Sequence, residues 1–588
     1  MDTNVRRREF LAGTGGIGAV SVAGCTGFSV EESGGAQDGS VAVVSQHELA
    51  TEAGLEVLEA GGTAADAAVA VAAALSVVEP WFSSALGGGT WALYYDADDE
   101  EITSLDGVGP VGSEASPDDY EERAETAGVH QAVVPGAWDG WMLWLEEYGE
   151  LDLDTVLEPA IETAREGYPA SPELRSWLEN EADEIDDRPD AAEIYQPAGD
   201  LLEEGDTVYQ EELADTFEAL ADAYDEHADE DRSDAIQAAR DYFYRGPIAE
   251  AIVEFSDEHD GYLTLSDFEE FEAEIVDPLS IEYDDDVDVY QNPPNSQGIT
   301  QLLALNTLNA FDFDDLDSAD ADTVHLQAEA IKLAFADRYH HVGDPERVDI
   351  PVETLLDDDY AEAQADRIEM DSAMEWPFDS GLEDEESVSS VGDADHTTTF
   401  HVVDGDGNAA AVTTSLGAQF LVVGDTGIHL NNRMRMISVA DDDPNRLTPG
   451  YKVRHTSNPY MAVRDGQPYI LGGNTGVDTQ PQGQTQQFLH VHEFGHDAQD
   501  AIDHPRFVST AFPSTAVPWE AENTLEMEAE YPEDVREDLE NRGHDVVDAP
   551  SVGSATMIVL EDDGESLEVG AEPRISTADG EVTESDFD

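Results

Sequence analysis

Residues 397–415 leave the chain little choice but a β-hairpin. Thr398 to Val403 is rich in β-branched and aromatic side chains, Asp404 to Asn408 supplies Gly405, Gly407 and Asn408 for a tight turn, and Ala409 to Ser415 returns as a second strand. On the residues alone this is a pair of strands. Thr397, just before the first strand, adds a second reading. A threonine hydroxyl is a poor nucleophile by itself. If the chain is cut before Thr397, however, the freed α-amino group, with a pKa near ~8, stands beside that hydroxyl and takes its proton near neutral pH. One residue then supplies both nucleophile and base.

Composition limits the partners. The 588 residues carry 135 acidic and 24 basic side chains, a formal net charge of −111, and Lys332 and Lys452 are the lysines. Such a surface repels itself in dilute salt, whereas at molar salt the Debye length falls to about 3 Å and the repulsion is screened, so the composition fits a salt-saturated environment. Hydrophobic residues make up 40% of the chain, enough for a core, which argues against disorder outside the tails. Nucleic acid is excluded as a partner because phosphate must be neutralised by Lys and Arg, and neither lysine stands in a Walker-type phosphate loop.

The first 25 residues read as an address. Arg6, Arg7 and Arg8 precede Phe10 and Leu11 in a twin-arginine pattern, and the small apolar stretch Ala12 to Ala23 is too short and polar to span a bilayer. Val22 to Cys25 is similar to a lipobox, which makes Cys25 a lipidation site and the mature N-terminus. A Gly-rich tether, residues 26–40, follows. The expected location is therefore the outer face of the cytoplasmic membrane, held only by a lipid anchor, or the extracellular space. Cys25 is the single cysteine, which rules out an intramolecular disulfide.

The remaining chain alternates helical and strand patterns. His47 to Val78 predicts two helices, the second alanine-rich near Ala64 to Leu75, and Trp91 to Tyr95 and Glu101 to Asp106 predict strands. Trp138 to Leu178 and Leu201 to Phe243 read as helical, with Asp225 to Asp234 a solvated insertion. Asp288 to Gln291 reads as a strand, and Ala321 to Tyr339 as a helix with the stripe Val324, Ala328, Ile331 and Phe335. Asp379 to His396 reads as an exposed loop.

Several motifs together carry a resemblance. They are Gly61 to Ala67, Gly87 to Gly89, Val134 to Gly136, Pro293 to Gly298, Glu329 to Arg338, Thr397 seven residues before Asp404, Gly427 to Met434, Asn458-Pro459, Gly472 to Asp478 and Ala501 to Phe507. In this order, over roughly residues 40 to 588, the chain resembles the γ-glutamyltransferases, self-cleaving N-terminal-nucleophile hydrolases. The resemblance implies an α+β fold, a four-layer αββα sandwich, with a large fragment 41–396 and a small fragment 397–588. It implies Thr397 as nucleophile, Ser415 as its orienting hydroxyl, the N–H groups of Gly476 and Val477 as oxyanion donors, and Asn432, Arg433, His455 and Thr456 as substrate contacts. It further implies a γ-glutamyl substrate such as glutathione, and water or an amino acid or peptide as acceptor. No cofactor and no metal are implied.

The chain departs from that family on the substrate side. Gly107 to Gly109 stands where an arginine for the substrate α-carboxylate is expected, Met436 where an aspartate for the α-amino group is expected, and Gly417 where an asparagine is expected. His455 and Thr456 replace a serine pair, and Met434 to Lys452 is short for a lid. Hydrogen bonds to charged groups contribute about 1.5–3 kcal/mol each, so losing two weakens γ-glutamyl recognition roughly a hundredfold unless Arg433, Arg435 or Arg454 compensates. A glutaryl- or cephalosporin-acylase-like amidohydrolase of the same fold is therefore the alternative. Two other motifs compete. His492, Glu493 and His496 match the H-E-x-x-H zinc-protease pattern, although Gly495 weakens the required helix and no third metzincin ligand follows. This pattern leaves room for an incidental surface metal site. Gly107 to Gly112 is formally G-x-G-x-x-G, but Pro110 and the polar residues after it offer no helix to a pyrophosphate.

Overall fold

The computed structural model describes residues 40–584 apart from 229–230, 285, 376–379, 383–396, 418, 442, 513–521, 550 and 562–565. The leader with Cys25, nearly all of the tether, and the loop Asp379 to His396 except residues 380–382 lie outside the described residues. No helix among the described residues is long and apolar enough to cross a membrane.

Two antiparallel sheets form the centre. The first runs Asp579–Glu584, Ser40–Ser45, Thr398–Val403, Ala409–Ser415, Gly89–Asp96, Glu101–Gly107 and Glu274–Val276. The second runs Ser566–Gly570, Ala555–Glu561, Gln467–Asn474, Tyr460–Arg464, Val287–Gln291 and Leu279–Tyr283. Their inner faces share a core of Val44, Leu93, Val403, Ala411, Met461, Leu471 and Ile558. Inward and outward side chains alternate along each strand, so both outer faces are apolar too and must be covered. Helices such as Ala64–Val78 cover the first sheet, and Ile299–Leu308, Ala321–His341 and Gln480–His492 cover the second. The result is the expected αββα sandwich.

The hairpin lies at the middle of the first sheet. Thr398 pairs with Thr414 and Val403 with Ala409, and outside it stand Ser40–Ser45 and Gly89–Asp96. Chain before and after Thr397 is thus interleaved within one hydrogen-bonded sheet. Asp404 holds the turn by accepting from the N–H groups of Asp406 and Asn408, and its other oxygen accepts from Ala64 N at 2.8 Å, the first N–H of the alanine-rich helix. Thr63 and Asp66 close a capping box on the same helix end. Every residue of Ala64–Val78 is buried, and its small side chains let the helix lie close against both hairpin strands.

Two expectations need revision. The stripe read for Ala321–His341 understates its burial, because Thr323 through Arg338 are buried on all faces, including the Lys332–Glu329 ion pair at 2.7 Å. The solvated insertion is shorter than read. Asp231 caps a helix, Arg232–Tyr244, that begins inside it, and Arg232 reaches back to the Leu145 and Leu151 carbonyls.

Candidate active site

Thr397 sits at the entry to its strand, 1% exposed in the uncut chain. Its Oγ lies 3.1 Å from Ser415 Oγ, at the end of the neighbouring strand, and accepts a hydrogen bond from Gln480 Nε2 at 3.2 Å. Arg433 Nη1 donates to Ser415 Oγ at 2.8 Å, which leaves that oxygen a second lone pair and its own hydrogen, so either hydroxyl can donate in the Ser415–Thr397 contact. Gln480 Nε2 donates to the Thr397 oxygen, and the Ser415 hydroxyl is placed to donate to it as well. An oxygen so placed is stabilised as it gains negative charge, since Ser415 can then donate to it beside Gln480. Arg433 Nη2 also holds Asn432 Oδ1 at 2.7 Å, and the Arg433 N–H bonds Asn431 Oδ1. Gly417, at φ +102°, packs under this group, and a Cβ there would stand 1.9 Å from Asn432 Oδ1. An asparagine at 417 is therefore incompatible with this arrangement.

Gly476 and Val477 form a turn at the edge of the same group. Gly476 has φ +92°, and Val477 has φ +47°, a left-handed conformation that costs a β-branched residue of order 1–3 kcal/mol. The turn leads directly into the helix Gln480–His492, so its N–H groups lie at a helical N-terminus, where negative charge is favoured. Residues distant in sequence fix it. Gln297 Nε2 donates to Val477 O at 2.8 Å and Thr456 O at 2.9 Å, while Gln297 Oε1 accepts from Arg338 Nη1 at 2.6 Å. Arg338 also bonds Asp478 at 2.5 Å.

A second chain of buried hydrogen bonds runs beneath Thr397. Thr398 Oγ donates to Glu79 Oε2 at 2.9 Å and lies 3.2 Å from Gln46 Oε1. Gln46 Nε2 reaches Ser554 Oγ at 2.7 Å, and Ser554 meets Thr475, the residue before Gly476, at 2.7 Å. Burial pushes the Glu79 carboxyl up to about 8, against the opposing effect of the Thr398 hydrogen bond.

The substrate side is less saturated. Asn432 Nδ2, His455 Nε2, Thr456 Oγ and Gln480 Oε1 are buried without a protein hydrogen-bond partner. His455 Nδ1 accepts from Ser457 N, which places the ring hydrogen on Nε2. Burial, followed by the charges of Arg433 and Lys452, holds that ring well below its ordinary pKa. Lys452 pairs with Asp106 at 2.6 Å, immediately before the Gly107 to Gly109 segment. Met436 packs against Val477, so an apolar side chain occupies the place where an aspartate was expected.

Sequence reasoning thus names Thr397, Ser415, Asn432, Arg433, Gly476, Val477, His455 and Thr456, and the structure gathers them. It passes over Gln297, Arg338, Gln480, Glu79 and Lys452. Gln297 and Arg338 stood inside quoted motifs, and the signal for Lys452 was its rarity in so acidic a chain. The zinc-protease pattern is corrected. The helix ends at His492 and Gly495 takes φ +66°, so His492 and His496 do not share a helical face. His492 bonds Asp284 at 3.0 Å, and His496 turns to other histidines. The G-x-G-x-x-G match fails similarly, since only a five-residue helix, Pro117–Glu121, follows it.

The comparisons agree with this architecture. The chain is 34% identical over 543 residues to the glutathione hydrolase-like YwrD proenzyme of Bacillus subtilis (strain 168), covering 90% of this chain and 96% of that protein. It is 30% identical to the acylase ACY 1 proenzyme of Pseudomonas sp. (strain SE83), covering 89% and 90%. The crystal structure of cephalosporin acylase from Bacillus halodurans superposes with a TM-score of 0.81 at 29% identity, covering 96% of this chain and 98% of that one. The profile of the gamma-glutamyltranspeptidase family matches residues 50–582, and the chain belongs to that family of enzymes.

Proposed function

We propose that the chain is a proenzyme cut between His396 and Thr397, and that the product cleaves γ-glutamyl amides through a Thr397 acyl-enzyme. In maturation, Thr397 Oγ attacks the His396 carbonyl carbon and the peptide C–N bond breaks, with the nitrogen taking a proton. Water then hydrolyses the ester, leaving a His396 carboxylate and a free Thr397 amine. In turnover, that amine accepts the hydroxyl proton as Oγ attacks the substrate amide, and passes it to the departing amine. Gly476 and Val477 N–H groups receive the oxyanion. Water gives hydrolysis, and an amino acid or peptide gives transfer. The observation that carries this reading is the contact of Thr397 Oγ with both the Ser415 hydroxyl and Gln480 Nε2, two groups able to donate to that oxygen as its proton leaves.

Asn432, His455 and Thr456 would hold the acyl group, with Lys452 and Arg433 as the cations toward its carboxylate. The leader motifs support export by the twin-arginine route and anchoring at Cys25.

One observation favours a second reading, a glutaryl-type acyl group without an α-amino group. Met436 against Val477 gives an ammonium no carboxylate partner at the position expected for one. Parallel kcat/KM measurements on γ-glutamyl and glutaryl anilides decide between them. A γ-glutamyl preference supports the main reading, and a glutaryl preference of tenfold or more overturns it in favour of the acylase.

A further inference from the structure

Away from the nucleophile, His490, His496 and His504 come together where the helix Gln480–His492 ends and the helix Ala498–Asp503 stops. One nitrogen from each ring lies within 4.8 Å of the others. The His490 and His504 ring centroids are 3.9 Å apart, and His496 lies 5.6 and 5.7 Å from the two. His490 is 2% exposed, yet neither of its ring nitrogens has a hydrogen-bond partner. A neutral imidazole always carries one donor and one acceptor, and leaving such groups buried and unmet costs about 1–3 kcal/mol each.

The other rings are set up differently. His504 Nδ1 faces Pro505 O at 3.1 Å and must donate to it, so Nε2 presents a lone pair. A backbone carbonyl behind the ring is the usual way a metal-binding histidine is oriented. Ser318 Oγ lies between His504 Nε2, at 3.1 Å, and His496 Nε2, at 3.3 Å. It can donate to His504 Nε2 while accepting from His496 Nε2–H, which meets both of those rings and leaves the two nitrogens of His490 unmet.

Three neutral imidazoles that each bring a ring nitrogen to one place are the donor set of a borderline divalent ion. We propose that His490, His496 and His504 bind one first-row divalent transition-metal ion of the Zn²⁺ class, with Ser318 or water completing the shell. Nitrogens on one tetrahedral zinc stand about 3.3 Å apart, from Zn–N bonds of about 2.0–2.1 Å. The rings therefore close by at most about 1.5 Å, which the half-buried His496 and His504 can supply. The surrounding negative field concentrates cations, and the nearby Arg506 and Arg574 are neutralised by Glu572 and Glu528, each at 2.6 Å. No carboxylate belongs to the cluster, so it lacks a base for hydrolysis and acts as a clamp. His490 lies ten residues after Gln480, about 15 Å along the helix whose first turn touches Thr397. The ion would pin the far end of that helix.

Among the described residues the other histidine groupings hold their carboxylates and rings in protein contacts, with His492 Nδ1 left unmet. Glu329 is paired with Lys332, and His325 and His544 bond each other at 2.8 Å. Glu493, near His492, accepts from Tyr283 at 2.6 Å.

The test is titration of chelator-treated, tag-free full-length protein with Co²⁺ in molar salt and excess Mg²⁺, which occupies surface carboxylates. We expect one Co²⁺ per chain with the visible absorption of a tetrahedral nitrogen site, and a thermal midpoint that rises with the ion. His490→Asn and His504→Gln should each weaken binding at least about a hundredfold while anilide turnover persists, and Ser318→Ala about tenfold. Should His490→Asn fail to fold, the half-buried His504→Gln decides alone. Absence of a tetrahedral spectrum, or binding that survives His504→Gln unchanged, overturns the proposal.

Discussion

The two sides of the active site are built differently. Around Thr397 the reacting oxygen is held by protein: Thr397 meets Ser415 and Gln480, Ser415 meets Arg433, and the Gly476–Val477 turn hangs from Gln297, with Gln480 Oε1 left unmet. On the acyl side, Asn432, His455 and Thr456 each keep a buried polar atom without a protein partner, and Met436 faces Val477. A preorganised donor set aimed at a reacting oxygen serves any amide. Open polar atoms wait for one particular acyl group, since leaving them unmet costs affinity. We therefore assign the proposed chemistry to the contacts around Thr397, and the proposed specificity to Asn432, His455 and Thr456.

Substitutions break this comparison unequally. Ser415→Ala removes the hydroxyl that links Arg433 to Thr397, and kcat should fall about 10- to 100-fold with KM nearly unchanged in steady-state anilide hydrolysis. Lys452→Met acts on the other side. It should raise KM about tenfold for a carboxylate-bearing acyl group and leave kcat within about twofold. An equal loss in both variants' kcat would erase the distinction between the two sides.

The smallest effect concerns Glu79 under the nucleophile strand. Its carboxyl rises from 4.5 to about 8 on burial, so the folded state holds the proton more tightly than the unfolded chain. The stability this gives is full below pH 4.5 and is lost as pH rises toward 8. Glu79→Gln keeps an acceptor for Thr398 and has no such titration. The thermal midpoint of wild type relative to Glu79→Gln should therefore decline across that window in paired scans, and a constant difference would place the carboxyl outside the buried network.

Local pattern made the hairpin legible, because β-branched runs and a Gly-Asn turn are decided within a few residues. The capped alanine helix and the long helix before His341 were legible for the same reason. Gln297, Arg338 and Gln480 escaped as functional groups because their roles depend on contacts across 41 to 180 positions in the chain. No periodicity reports such contacts. The pattern His492, Glu493 and His496 was already doubtful in the sequence because of Gly495, and the structure bears that doubt out. Spacing implied a shared helical face, whereas the helix stops at His492 and the chain turns through Gly495. Motifs carried the fold, and only geometry could say which histidines meet.

Denaturing intact mass of wild type and Thr397→Ala, both made in high salt, tests the central claim most directly. The account predicts two wild-type fragments, the smaller beginning at Thr397 and gaining the mass of an acyl group when quenched with anilide substrate. Thr397→Ala should remain one uncut and inactive chain. An uncut but active wild type, or a Thr397→Ala protein that still cleaves itself, would contradict the assignment of Thr397 as nucleophile.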